Sequence, residues 1–387
     1  METLEVFEKK PNKLKKEWYK EMKKWISWAL AVTLLLLCLA GCGGNNNTNN
    51  NQSNTTNAQD QSKGTDDNSQ SGTAATAEYT LKFGHDHTTT SPFHTASLAF
   101  KEQVEKESGG RIAVEIYPSQ SLGSAREMIE MMQMGTLEAT LLPTSKFGGF
   151  DQRLNLADMP YLAESEEDIM ALLNGPVGAE AMAGLEDIGI KGIAYFPEGF
   201  KYITNNVRPI TSPADLSGLK IRTMEAPIIM SMFECWGANP VPIDFSEVYN
   251  SLQQGVVDGE ENPLLSIHDM RFYEVQKYMT IDTHAYLAYF LSYSKAWFDK
   301  LPADLQEVVV QAGIDAKDYC QELMNEANAE YLRVIEESGT EIYTLSAEES
   351  AAFKEACQSV YTDYRDIIGG ETLDRAVEES ARLAAAH

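Results

Sequence analysis

Residues 219–263 read LKIRTMEAPIIMSMFECWGANPVPIDFSEVYNSLQQGVVDGEENP. Three short strand-like runs, LKIRTM (219–224), NPVPI (239–243) and VVDGEEN (256–262), alternate here with two helical segments. Pro227 opens the first helix and Gly237 ends it; Ser246 and Gly255 bound the second. Strands alternating with helices form a mostly parallel sheet covered on both faces. Arg222 ends the first strand, Phe245 precedes the second helix, and Asn262 ends the third strand just before Pro263. In open α/β sheets such carboxyl ends face the ligand crevice, so all three side chains point toward one.

The same grammar runs upstream. YTLKF (79–83) is a short strand. Ser91-Pro92 caps and opens a helix whose Phe93, Ala96, Phe100 and Val104 share one face, closed by Gly109-Gly110. RIAVEIY (111–117) alternates, Ser124 with Glu127 forms a capping box for a methionine-rich helix to Met134, and LEATLL (137–142) is the next strand. IKGIAYF (190–196) restarts the pattern. Two α/β lobes follow, with cores at 79–198 and 199–287 and a crevice between them. Residues 288–387 supply crossing strands, a long helix and C-terminal helices. The helix from Pro302 to about Ser338 has one internal glycine and no later proline. At 1.5 Å per residue it reaches about 50 Å, enough to contact both lobes.

Toward the N-terminus, WISWALAVTLLLLCLA (25–40) follows Lys23-Lys24 and ends at Leu39-Ala40-Gly41-Cys42. This is a signal peptide with a lipobox, too short for a comfortable membrane span. Residues 1–41 are expected to be removed, with Met22 as an alternative start, and Cys42 to be lipidated. Several acyl chains together anchor stably. Residues 42–78, rich in Asn, Thr, Ser and Gln, have almost nothing apolar to bury and form a tether. The product sits on the outer face of the cytoplasmic membrane.

The whole chain has a formal net charge of −27; residues 1–41 hold eight lysines and five acidic residues, so the remainder stands at −30. Such a surface disfavours nucleic acid and anionic lipid as partners. An acidic protein that binds an anion must concentrate positive charge locally, and a buried arginine does this. A guanidinium at the position of Arg222 can hold a carboxylate through two parallel hydrogen bonds, with Asn262 as a donor beside it and Phe245 as an apolar wall. On its own an arginine of this kind is more often a surface ion-pair residue.

GLKIRTM, WGANPVPIDFSEVYNSLQQGVVDGEENP, FYEVQKYMT and GRIAVEIYPSQSLGSAREMIEMMQMGTLE resemble the DctP-type solute receptors of tripartite ATP-independent periplasmic (TRAP) transporters, over about Tyr79 to Ala381. The resemblance implies a two-lobed periplasmic-binding-protein-like α/β fold with a long helix spanning both lobes, closing around a small organic acid and handing it to TRAP membrane subunits. Arg222 matches the family's carboxylate-clamping arginine, Asn262 the asparagine of its D-G-Q-E-N-P motif, and Phe245 the aromatic residue before S-E-V-Y. Lys201 falls where many members carry a second arginine, and Asp86 near an N-terminal polar ligand position. Thr144, Ser145 and Lys146 lie in the loop that completes the pocket. Two residues depart from the pattern: Glu260 replaces the usual Gln, and Lys201 the more frequent Arg.

Other signals read more plainly. His85, Asp86 and His87 look like a solvated strand-end loop without a third metal ligand. Asp258, Glu260 and Glu261 lack EF-hand spacing and suit a structural or hinge role. His284 reads as a buried, hydrogen-bonded histidine. Met128, Met131, Met132 and Met134 read as core. Cys235, Cys320 and Cys357 allow at most one disulfide and read as mostly buried and inert. No metal, cofactor or catalytic residue is expected. The chain has no G-x-S-x-G, H-E-x-x-H or P-loop motif. The rivals are an exported enzyme acting on small acids and a binding protein serving an ABC transporter or a sensor kinase.

Overall fold

A computed structural model of the protein describes residues 77–386. The expected leader, the expected lipidation site at Cys42 and nearly all of the expected tether lie outside the described residues. The described part begins with β1 (Tyr79–His85), α1 (Pro92–Glu107), β2 (Ile112–Tyr117), α2 (Ala125–Gln133) and β3 (Ala139–Pro143). β1 pairs in parallel with both β2 and β3, as the alternation requires. Leu81, Phe83, Ile112 and Val114 face the core, each at most 2 % exposed. Ser91 accepts from the His94 amide to start α1, and Ser124 with Glu127 forms the expected reciprocal box at α2.

Four helices follow or flank the next strands: α3 (Thr144–Phe147), α4 (Glu166–Leu173), α5 (Pro176–Ala183) and, after β4 (Ile190–Phe200), β5 (Tyr202–Asn205) and β6 (Lys220–Thr223), α6 (Pro227–Cys235). Then come β7 (Asn239–Pro242), α7 (Val248–Gln253), β8 (Gly259–Asn262), α8 (Leu264–Asp269), β9 (Tyr278–Ile281) and β10 (Tyr286–Ser294). The chain ends through α9 (Lys295–Phe298), α10 (Ala303–Glu337), β11 (Glu341–Thr344), α11 (Ala347–Ala356), α12 (Gln358–Ile368) and α13 (Gly370–Ala384).

The strands form a five-stranded sheet, β2-β1-β3-β10-β4, and a six-stranded sheet, β11-β9-β5-β8-β6-β7. Each is mostly parallel, as the strand–helix alternation predicts, with one reversed strand, β10 in the first and β5 in the second. The cause is the crossing between lobes. β4 runs four residues past the expected end and passes through Lys201 into β5 of the other sheet, while β9 returns through residues 282–285 into β10. Outgoing and returning strands must run in opposite directions, so β4 and β10 pair antiparallel along their full length, from Tyr286↔Phe200 to Ser294↔Ile190. The register shifts between Leu287, opposite Gly199, and Ala288, opposite Pro197, which leaves Glu198 as the extra residue of a bulge. A bulge re-aims the side chain it displaces, and Glu198 is fully buried.

The helix expected at 246–255 is shorter. Asp244 accepts from the Ser246 amide and starts a 3₁₀ turn over Phe245–Glu247, after which α7 begins. The long helix is present as α10, 35 residues. It packs on α1 and β4 of the first lobe and on α8, and Ile335 near its end joins the second lobe's core with Phe245, Val248, Phe272 and Met279. Among the described residues no helix is long and apolar enough to cross a membrane.

Candidate functional site

Arg222 lies on β6 opposite Glu260 of β8. Its side chain is fully buried, and its Nε donates to the Ile243 carbonyl at 2.9 Å. That bond fixes the guanidinium plane and leaves both terminal nitrogens buried without a hydrogen-bond partner. Burial lowers the Arg222 pKa, against the raising influence of Glu261, Glu260 and Asp244. A buried guanidinium with two free parallel donors matches a carboxylate. Beside it, Asn262 donates Nδ2 to Glu260 Oε2 at 2.5 Å, and Thr204 donates to Glu260 Oε1 at 2.6 Å. Burial raises the Glu260 pKa to about 7, although both hydrogen bonds act to lower it.

Phe245 is 7 % exposed and meets Phe272 edge-on, with ring centroids 6.2 Å apart. On its other side stands His87, 6.1 Å away and belonging to the first lobe. His87 stacks on Phe93 at 4.6 Å and tilts against Tyr289 at 5.2 Å. Its Nε2 is 4.0 Å from Glu198 and its Nδ1 3.8 Å from Asp269. Burial opposes its protonation, but Asp269, Glu198 and Asp86 outweigh it and raise the pKa. Tyr289 OH reaches Asp86 Oδ2 at 3.5 Å, and Asp86 Oδ1 is buried without a hydrogen-bond partner. Burial raises the Asp86 pKa, while His87 and Lys146 pull it down. Lys146, partly buried, is lowered by burial and then by the charge of Arg222. Lys146 is thus coupled both to Arg222 of the second lobe and to Asp86 of the first.

The sequence candidates therefore divide. Arg222, Asn262, Phe245, Asp86 and Lys146 come together. Ser145 is buried at the same junction, its hydroxyl 3.6 Å from Met224 Sδ of the second lobe, and Thr144 Oγ1 is buried without a partner. Lys201 occupies the crossing segment, paired with Glu261 Oε2 at 2.9 Å. Glu261 lies 3.5 Å from His284 Nε2, and His284 Nδ1 is 2.8 Å from Asp282. All four side chains are fully buried. The expectation that Glu261 serves the hinge and that His284 is buried and hydrogen-bonded agrees with this cluster.

The histidine loop is a correction. His85 and His87 are fully buried rather than solvated, because β1 carries two residues further than its apolar alternation and delivers the loop under α1. His85 meets His94 at 3.0 Å, and burial, with His87 and His94 nearby, lowers its pKa to about 3. Of the methionine run, Met128 and Met132 are core while Met134 is 70 % exposed. The three cysteines of the described part are free. Sequence reading missed His87, Glu198, Asp269 and Tyr289. Tyr289 hides in an apolar run, YLAYFLSYS, and Glu198 depends on a bulge; the pairing of polar residues with β1's carboxyl end was the one available signal, for His87.

Asp269 also ties the lobes together: Thr88 Oγ1 lies 2.8 and 2.7 Å from its two oxygens, and Thr90 Oγ1 3.1 Å from the first.

Residues 83–366 match the family described as bacterial extracellular solute-binding protein, family 7. The 2,3-diketo-L-gulonate-binding periplasmic protein YiaO of Escherichia coli is 32% identical over 309 residues, 79% of this chain and 94% of that protein. The C4-dicarboxylate-binding periplasmic protein DctP of Rhodobacter capsulatus is 34% identical over 295 residues, 76% of this chain and 88% of that protein. Among solved structures, the sugar acid binding protein DctPAm of Advenella mimigardefordensis, in complex with galactonate, superposes with a TM-score of 0.76 at 30% identity, covering 78% of this chain and 98% of that one.

Proposed function

The chain belongs to family 7 of the bacterial extracellular solute-binding proteins, the DctP-type receptors of TRAP transporters, and from that premise we propose that it holds the carboxylate of a small organic acid on Arg222 in the closed crevice. The observation that carries the anchor assignment is the fully buried guanidinium whose terminal nitrogens have no partner. An ionic group left so would be costly; a bound carboxylate removes that cost. Asn262 and Phe245 flank the anchor, and Lys146 adds a second positive charge. Relatives bind 2,3-diketogulonate, C4-dicarboxylates and galactonate, acids that share only the carboxylate Arg222 reads.

Capture outside the cell and release to membrane subunits is the family's role, and the lobes supply a mechanism. A ligand that touches both walls stabilises the shut form by its extra contacts there. The leader and the lipid on Cys42 complete the proposal by holding the receptor at the outer membrane face. A thermal-shift screen of carboxylic acids against their neutral amides tests the function: melting should rise with acids and not with amides. A rise with amides alone would reject carboxylate capture. Labelling with a fatty-acid analogue should mark the wild type and not Cys42→Ala.

A further inference from the structure

We infer that the crevice is built for a singly charged acid bearing hydroxyl groups, with its carboxylate on Arg222 and Lys146 and a hydroxyl donating to Asp86, and that it disfavours dicarboxylates. This rests on the reading of Arg222 as the carboxylate anchor.

Charge limits the number of carboxylates the crevice accepts. The ionisable side chains around the crevice include Asp86, Glu198, Asp244, Glu260, Glu261 and Asp269, with Glu225 near Lys146, against Arg222, Lys146, Lys201 and His87. Lys201 is committed to Glu261 at 2.9 Å, and His87 stands between Glu198 and Asp269. Two cations are left for a ligand, and Lys146 adjoins both Arg222 and Asp86. One carboxylate occupies that pair. A second carboxylate at the far end of the molecule would face Asp86 and Glu198, whose pKa values burial already raises, that of Glu198 to about 7; a diacid would therefore bind only with uptake of a proton there, which disfavours it increasingly above pH 7.

Hydrogen bonding favours a hydroxyl at Asp86. Asp86 Oδ1 is buried with no partner, and its other oxygen has only the 3.5 Å contact from Tyr289. Buried acceptors need donors. An ionised carboxylate offers none, whereas a hydroxyl donates and accepts. An ammonium would also donate to Asp86, but it would lie beside the Lys146 ammonium, so the hydroxyl is the better fit. Glu198, displaced into the site by its bulge and bonded by Ser266 Oγ at 2.6 Å, extends the same accepting wall.

Calorimetric titration of the purified protein with two matched series tests this. The six-carbon series is hexanoate, D-gluconate, D-galactonate, adipate and 6-aminohexanoate; the four-carbon series is butyrate, D-erythronate and succinate. In at least one series a hydroxy acid should bind about tenfold or more tightly than the plain acid, the diacid and the amino acid of equal length. Asp86→Asn should weaken the hydroxy acid by about tenfold and narrow its advantage over the diacid. Glu198→Gln should act in the same direction. Tighter binding of adipate or succinate by the wild type would overturn the inference whether or not the variants fold. If that binding were lost in Arg222→Ala, the anchor would stand. Preference for 6-aminohexanoate would replace the hydroxyl with an ammonium and equally overturn it. No heat with any acid of either series would overturn both the inference and the function on which it rests.

Discussion

Substituting His284→Gln should change how stability depends on pH. His284 is fully buried between Asp282 at 2.8 Å and Glu261 at 3.5 Å, with Phe233 and Trp236 edge-on at 5.7 and 5.6 Å. Lys201 and Asp158 are the other charged groups of the cluster. Burial alone would lower the pKa, but the two carboxylates raise it from 6.5 to about 9. A histidine whose pKa is raised by folding contributes stability that is full below its unfolded pKa and is lost as pH climbs through the folded value. At 1.36 kcal/mol per pKa unit the span amounts to about 3 kcal/mol between pH 6 and 9.5. Urea denaturation at steps across that window should therefore show the wild type losing about 3 kcal/mol more than His284→Gln. Titrations of groups elsewhere cancel in the difference between the two proteins. If the two stability curves run parallel from pH 6 to 9.5, the histidine is not held protonated by Asp282 and Glu261, and the charge assignment of the crossing segment fails.

Three more perturbations probe other parts of the structure. Asp269→Ala removes the carboxylate that takes Thr88 and Thr90 across the lobes; affinity should drop by roughly tenfold, mainly through a faster off-rate seen by stopped flow. Glu260, with its pKa at about 7, ionises beside Arg222 as pH rises from 6 to 8 and competes with the ligand's carboxylate. Affinity should fall over that window and fall less in Glu260→Gln, by roughly tenfold at most, as calorimetry at each pH would show. Gly259→Ala would place a methyl group 2.1 Å from the Thr204 carbonyl; the forced shift of β8 against β5 should cost about 1–3 kcal/mol in chemical denaturation.

The elements that read well from sequence are those whose signals are local. Ser91-Pro92 and the Ser124–Glu127 box mark helix starts through bonds made within three residues, and α10 announces itself by an unbroken helical composition. Arg222 and Asn262 stand out in the sequence as candidates because each lies at or beside the carboxyl end of a strand that a helix follows within a few residues. What escaped depends on long-range pairing. The direction of β4 and β10 follows from which sheet each strand joins next, and nothing in IKGIAYFPEGF states that Glu198 will bulge opposite Leu287 and Ala288. His87 reads as solvated because its immediate neighbours in sequence are polar; its neighbours in space are Phe93, from the helix that follows, and Tyr289 and Phe245, from two distant segments. Lys201 shows the same limit. Its place in the chain fits a ligand contact, but pairing of β5 with β8 puts Glu261 opposite Ile203 and within reach of the ammonium.

The most direct test of the account is calorimetric titration of an acid that stabilises the wild type, repeated with Arg222→Ala and Arg222→Lys. Loss of a buried charge partner should weaken binding of the acid by about 2–5 kcal/mol in the alanine variant, and lysine should recover only part of it because it cannot present two parallel donors. Binding to Arg222→Ala within a few-fold of wild type would contradict the claim that this guanidinium holds the ligand's carboxylate.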